Sequence, residues 1–380
     1  MLTRREWIGA AGALLIPAST KAAPTSRVAI ARCPDYGATM PAALKTMFDQ
    51  LGGLGALVRN KTVSIKVNLT GSPRDRVGSV PAERCQYTHP ALIGATVRLM
   101  GEAGARRIRV IEGAYSSSEP LEEFMYDTGW DPSVLLNAAS RVELENTNVP
   151  GRGKRYHRLP VPGGGYLYDA FDFNHCYDEC DVLVSLAKLK EHATCGVTMA
   201  LKNMFGATPI TIYGDGAGKD EPSLEAAGGR GAIFHSGRRQ PPQSAPQEKP
   251  APAGTPASDL HNDRWRVPHI VTDICAARPI HLSIIDGIET MAGGEGPWVR
   301  GTRHVKPGVL VAGLNPVCAD AVGTALMGFD PMASRGAPPF ERCESTLELA
   351  EKKGLGTRDL RRIEIVGPPL KSLAMDFRKA

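Results

Sequence analysis

Between Cys180 and Gly206 the chain reads CDVLVSLAKLKEHATCGVTMALKNMFG, which gathers five side chains capable of chemistry into one short stretch. Lys188, Lys190 and His192 alternate with Leu189 and Glu191, so on an extended chain all three project from one side. Lys202 and Asn203 follow, in the last turn of a helix expected from about Cys195 to Phe205, capped by Thr194 and closed by Gly206. Cationic groups at such a place suit a carboxylate, a phosphate or an enolate. Elsewhere, Lys66 and Asn68 share one face at the end of an apolar run, and Glu295 sits in the glycine loop Gly293–Gly301. Glycines there let backbone approach a ligand closely. These types assign acid–base roles to Lys188, Lys190, His192 and Glu295, and ligand binding to Lys66, Asn68, Lys202 and Asn203. Glu112, Asp286 and Asp320 are the candidates for proton transfer or metal ligation. Plainer roles compete at several positions. Lys202 near a helix C-terminus is favoured by the helix dipole, Asp286 before Gly287 can form a turn, and Asp320 can serve the first turns of its helix.

The elements that must position these groups are legible as an alternation of strands and helices. Val182, Leu183, Val184, Leu186, Ala187 and Leu189 form the near-continuous apolar run of a strand covered on both faces. Further strands are expected at 27–33, 62–69, 107–111, 281–285, 309–314 and 362–366, and helices at 41–58, 89–100, 264–277, from 315 and at 347–353. Alternation of this kind predicts an α/β fold, a mainly parallel sheet with helices on both faces. Parallel pairing would bring Lys66 and Asn68, Glu112, Lys188 to His192, Asp286, and Asn315 just before Asp320 to one edge, the carboxyl end where ligands bind in such sheets. A mixed sheet would break that convergence. Residues 140–175 read as a small β-rich insert or sheet extension. Residues 236–258, rich in Pro, Ala and Gln without apolar periodicity, read as a disordered insertion within the domain.

Four motifs, in order, resemble those of the domain of unknown function 362 family: KVN at Lys66–Asn68, SLAKLKEHATCGVTMALKNMFG, IIDGIETMAGGEGP at Ile284–Pro297, and NPVCADAVG at Asn315–Gly323. The family's corresponding strand reads PKLKTH and is followed by T-x-x-x-KN-x-x-G. The likeness spans roughly residues 60 to 330. It implies the family's fold, while the family's chemistry is largely undefined. Some members append a ferredoxin-like module with iron–sulfur cysteines, and this chain carries no such motif. The fold reading is also loosely similar to that of the nickel-dependent lactate racemase group, where a lysine and histidines flank a 2-hydroxy acid.

Composition narrows the classes further. A net charge of +5 spread over 380 residues gives no footprint for nucleic acid, and no run of 18 apolar residues gives a membrane span. The eight cysteines contain no C-x-x-C and read as small buried hydrophobes, with one disulfide left open. No Walker loop, no G-x-G-x-x-G after a strand and no G-x-S-x-G occurs. Arg4-Arg5 followed by a Gly/Ala-rich apolar segment reads as a twin-arginine export signal over residues 1–22, with Thr20-Lys21-Ala22 before the cleavage site. The expectation is a periplasmic protein, carried by the Tat translocase, with a single domain over 23–380. Two functions fit. One is an exported enzyme acting on a small anionic molecule. The other is a metal- or cofactor-binding accessory protein of periplasmic redox systems, its cofactor unknown.

Overall fold

The computed structural model describes residues 26–379, so the twin-arginine segment lies outside the described residues. The principal sheet is built from β1 (Arg27–Arg32), β2 (Thr62–Lys66), β3 (Arg107–Glu112), β4 (Val142–Asn146), β5 (Val182–Lys188), β6 (Leu282–Gly287), β7 (Val309–Gly313) and β8 (Glu364–Val366). Their spatial order is β8-β1-β7-β6-β5-β2-β3-β4. Neighbours from β6 through β5, β2 and β3 to β4 are parallel, and β7 alone runs against both its neighbours, β1 and β6. The sheet is therefore mainly parallel, with one reversed strand.

Alternate residues of each strand enter two separate cores, as a sheet covered on both faces requires. Val63 and Ile65 of β2, Val184 and Leu186 of β5 and Ile284 of β6 pack under helices α1 (Met40–Gln50) and α2 (Pro90–Glu102). Leu183 of β5, Ile285 of β6 and Val311 of β7 pack on the other face. There they meet α3 (Met199–Asn203), α4 (Asp263–Ala277) and α5 (Pro316–Leu326). The β-rich insert resolves into the edge strand β4 and a hairpin of His157–Pro160 with Ala170–Phe173.

Four expectations are corrected. The helix read over 41–58 is two helices, because Gly52 and Gly53 adopt φ of +102° and +86° between them. The helix after β5 begins at Met199, not at Cys195. Thr194 does not cap it, because its hydroxyl is engaged with His192 Nδ1, 3.0 Å away. Glu191–His192 pair with Gly196–Val197 first, in a turn that Gly196 closes at φ +71°. The reversal of β7 puts Asn315 on the far edge of the sheet, where its side chain caps α5 by accepting from the Cys318 N–H.

The fourth correction concerns residues 236–258, which form neither helix nor strand yet do not hang free. Ala245 is buried in the core, and the Gln247 amide donates to the Pro242 and Ala245 carbonyls at 2.8 Å. Glu248 pairs at 2.6 Å with Arg266 of α4, whose side chain is 4% exposed. Lack of periodicity reported the absence of regular structure. The order comes from contacts to other segments, among them a carboxylate meeting a buried guanidinium and Lys249 meeting Asp169.

Candidate functional site

At the carboxyl edge of β2, β3 and β5, on the α3 side of the sheet, lies a small cleft of about 80 Å³. Lys66, Asn68, Glu112, Lys190, His192, Lys202, Asn203 and Glu295 all line it, from four separate parts of the chain. Phe205 and Arg230, which the sequence reading did not single out, complete its charged and aromatic lining together with Tyr115 at the rim.

The floor is a closed network. Lys66 Nζ is 2.5 Å from Glu112 Oε1, 2.8 Å from the Val67 carbonyl and 3.1 Å from Asn203 Oδ1, so its three protons are all engaged. Glu112 also accepts from the Leu69 and Gly113 N–H groups. Asn203 Nδ2 donates to the Lys66 carbonyl and to Ser185 Oγ, and Asn203 Oδ1 accepts from Asn68 Nδ2. Burial pushes the Lys66 ammonium down and the Glu112 carboxylate pushes it back up. A Cβ on Gly206 would stand 3.0 Å from both Lys66 Nζ and Glu112 Oε1, so a side chain at the end of the motif would force this pair to shift. Lys66, Asn203 and Glu112 thus stitch strand ends to α3, and Asn68 Oδ1 has no hydrogen-bond partner among the described residues.

The wall comes from the turn after β5 and the glycine loop. Lys190, fully buried, donates to the Gln86 carbonyl at 3.0 Å and the Glu295 carbonyl at 2.8 Å. Neither partner is a carboxylate, and burial pushes its ammonium down to about 7. His192 Nδ1 accepts from the Thr194 N–H at 3.1 Å, which leaves the ring proton on Nε2. Burial pushes this imidazole down to about 3, so His192 is a neutral donor and not a base at physiological pH. Burial would raise the Glu295 carboxyl. The His192 ring beside it, the Ala193 N–H at 2.8 Å and the Trp298 indole at 3.0 Å outweigh that and hold it down to about 2. Glu295 therefore shapes the 190–195 turn as a fixed carboxylate.

The accessible cations are Lys202 and Arg230. Lys202 Nζ sits 4.1 Å from the centre of the Phe205 ring and makes no hydrogen bond or ion pair within the described residues. Burial pushes it down to about 8. The Arg230 guanidinium lies 5.4 Å from the same ring centre, donates to the Thr208 carbonyl, and keeps a buried Nε without partner among the described residues. Its one sequence signal is a lone arginine among glycines, AAGGRGA.

Lys188 is elsewhere. Its register partner in β6 is Asp286, and the two form an ion pair of 2.9 Å with both side chains fully buried. Tyr36 and the Glu83 carbonyl complete its contacts on the α1–α2 side of the sheet, the face opposite Lys66. Regular alternation ends at Lys188, so the expectation that Lys188, Lys190 and His192 share one side fails. Asp286 accepts from Tyr36, His89 and Ile288 as well. Asp320 takes the Ala200 and Leu201 N–H groups at 2.8 and 2.9 Å, fastening α5 to the start of α3. Glu112, Asp286 and Asp320 are thus separated and each is committed to protein donors.

A different trio, Glu145, His175 and Cys176, has ligand atoms within 4.8 Å of one another and is buried. Its histidine is already held on both nitrogens, by Glu145 at 2.9 Å and Glu179 at 2.9 Å. All eight cysteines are buried and unpaired. No helix among the described residues is long and apolar enough to cross a membrane.

The fold and cleft define an α/β protein with a cationic pocket at the strand ends. The chain belongs to the domain of unknown function (DUF362) family, whose model matches residues 63–325. A thylakoid-associated protein of Synechocystis sp. is 29% identical over 189 residues, 48% of this chain and 50% of that protein, so the chain spans about half the length of this curated relative. Among solved structures, the lactate racemase apoprotein from Thermoanaerobacterium thermosaccharolyticum shares 12% identity at a TM-score of 0.32, covering 74% of this chain and 54% of the other. A Thermotoga maritima protein shares 13% identity at a TM-score of 0.33, covering 82% and 59%. Likenesses this distant say nothing about the site.

Proposed function

We propose that the protein is an exported enzyme that binds a small anionic molecule in this cleft and exchanges a proton with it through Lys190. Lys202, Arg230 and the Nε2–H of His192 hold the anion, and Glu295 fixes the turn that carries His192. One observation carries the reading. Lys190 is a fully buried lysine at a cleft, hydrogen-bonded only to two carbonyls, with its ammonium pushed down to about 7. A lysine in that range can both give and take a proton at neutral pH, which is what acid–base catalysis requires. Lys66 and Asn203 support the floor, and Lys188 has no part in the chemistry.

The test needs no knowledge of the substrate. An anion entering the cleft raises the affinity of Lys190 for its proton, so binding near pH 7 takes up protons. Calorimetric titration with malonate and with lactate, neither of which changes its own protonation much near pH 7, in buffers of different ionisation enthalpy, measures that uptake. The uptake should be a sizeable fraction of a proton in the wild type and fall markedly in Lys190→Met. Binding without uptake in the wild type would remove Lys190 from the proton-transfer role. No binding by any anion would end the reading as a whole.

A further inference from the structure

Resting on that anion-binding reading, we infer that the cleft selects a dianion, a phosphate monoester or a small dicarboxylate, over a monoanion, and that Lys202 and Arg230 make the selection. The charged side chains bounding the cleft are Lys66, Lys190, Lys202 and Arg230 against Glu112 and Glu295. His192 adds no charge, because its Nδ1 is an acceptor. Once a bound anion has protonated Lys190, the cations outnumber the carboxylates by two.

The two carboxylates are not free to offset that excess. Glu112 is held by Lys66 and the Leu69 and Gly113 N–H groups, and Glu295 by the Ala193 N–H and the Trp298 indole. Turning either toward Lys202 or Arg230 would strand those donors in a buried setting. Asp215 lies close enough to act on Arg230 through its field, but its Oδ1 is taken by the Ala232 N–H and it does not line the cleft. What Lys202 and Arg230 share is the Phe205 ring, at 4.1 and 5.4 Å, and a ring face attracts cations without accepting their protons in the way an oxygen does. Both line the one cleft and the Arg230 charge acts on Lys202, so one small molecule between them can touch both. A monoanion leaves one of them uncompensated in a half-buried cleft, whereas a dianion neutralises both. The lowered proton affinities of Lys202, about 8, and Arg230, about 10, agree with cations that burial disfavours and no contacting carboxylate restores.

The experiment compares four probes on the whole protein near pH 7.5, at one fixed ionic strength: inorganic phosphate and malonate as dianions, acetate and lactate as monoanions. Phosphate or malonate should bind at least about tenfold more tightly than either monoanion, since each charge matched to a poorly hydrated cation strengthens the contact. Which of the two wins distinguishes a phosphate source from a dicarboxylate source. Lys202→Met and Arg230→Met should each abolish most of that advantage. Neither change removes the partner of a contacting carboxylate, so the thermal midpoint of the ligand-free protein should hold and show that the variants are folded. Equal affinity for monoanions and dianions would overturn the inference while leaving the anion-binding reading intact. Dianion preference that survives in the double variant would also overturn it, by putting the ligand elsewhere. Failure of all four probes to bind would overturn both.

Discussion

At the scale of single residues, the lysine that ends β5 and the lysine just past it divide between structure and chemistry. Lys188 and Asp286 are paired with no exposure at all, and an ion pair in such surroundings costs heavily when one partner is deleted. Lys188→Met should destabilise the protein by about 3–5 kcal/mol in chemical denaturation, because Asp286 is left buried without its cation. Asp286→Asn in the same background should restore part of that loss. The folded fraction should still bind inorganic phosphate with wild-type affinity, and a collapse of phosphate binding with unchanged stability would return Lys188 to the cleft. The alternation K-L-K-E-H cannot separate Lys188 from Lys190, because alternation holds only while the strand continues. Lys66, Asn203 and Glu112 were recognisable as site residues from their types, but not as a saturated floor. Saturation depends on three elements meeting within hydrogen-bond distance, which no spacing along the chain encodes.

At the scale of elements, buried strands were the most legible feature, since an apolar run bounded by polar residues has few other uses. The direction of β7 was not legible. Val309–Gly313 has the same apolar character whether it runs with or against β6, and only the route of the preceding chain, through the antiparallel pair Thr290–Ala292 and Arg303–Val305, brings it back reversed. The proline-rich segment gives the sharpest prediction at this scale. Excision of residues 239–257 with a short Gly/Ser bridge removes Glu248 and leaves Arg266 buried with carbonyl partners but no carboxylate. The thermal midpoint should fall substantially, with about 3–5 kcal/mol lost, although closing a long loop depends only weakly on its length. Glu248→Gln in the intact chain should reproduce much of the effect. An unchanged midpoint in both would show that the segment contributes nothing to the core.

At the scale of the whole molecule, export is the expectation that the described residues do not reach. Arg4 and Arg5 precede a weakly apolar Gly/Ala segment, and replacing both by lysine should retain the precursor in the cytoplasm. Fractionation of cells expressing that variant checks the outcome, and undiminished periplasmic protein would refute the twin-arginine route. Within the folded chain, the sequence alone determined that strands and helices alternate, that most strands run parallel, and that lysines, a histidine and a glutamate from distant segments end on one edge. Those outcomes follow from burial and periodicity, which are local properties of a chain. Tertiary structure alone decided which of those groups face one another. Lys66 and Lys188 stand on opposite faces of the sheet because the phase of β2 and β5 is set by their pairing, Lys66 opposite Ser185 and Lys188 opposite Asp286. Arg230 joins the cleft because the Asp215 N–H bonds the Gly229 carbonyl and the guanidinium bonds the Thr208 carbonyl, contacts between residues well apart in the chain. Register, strand direction and loop closure are relations between segments, and their energies exist only once the segments meet.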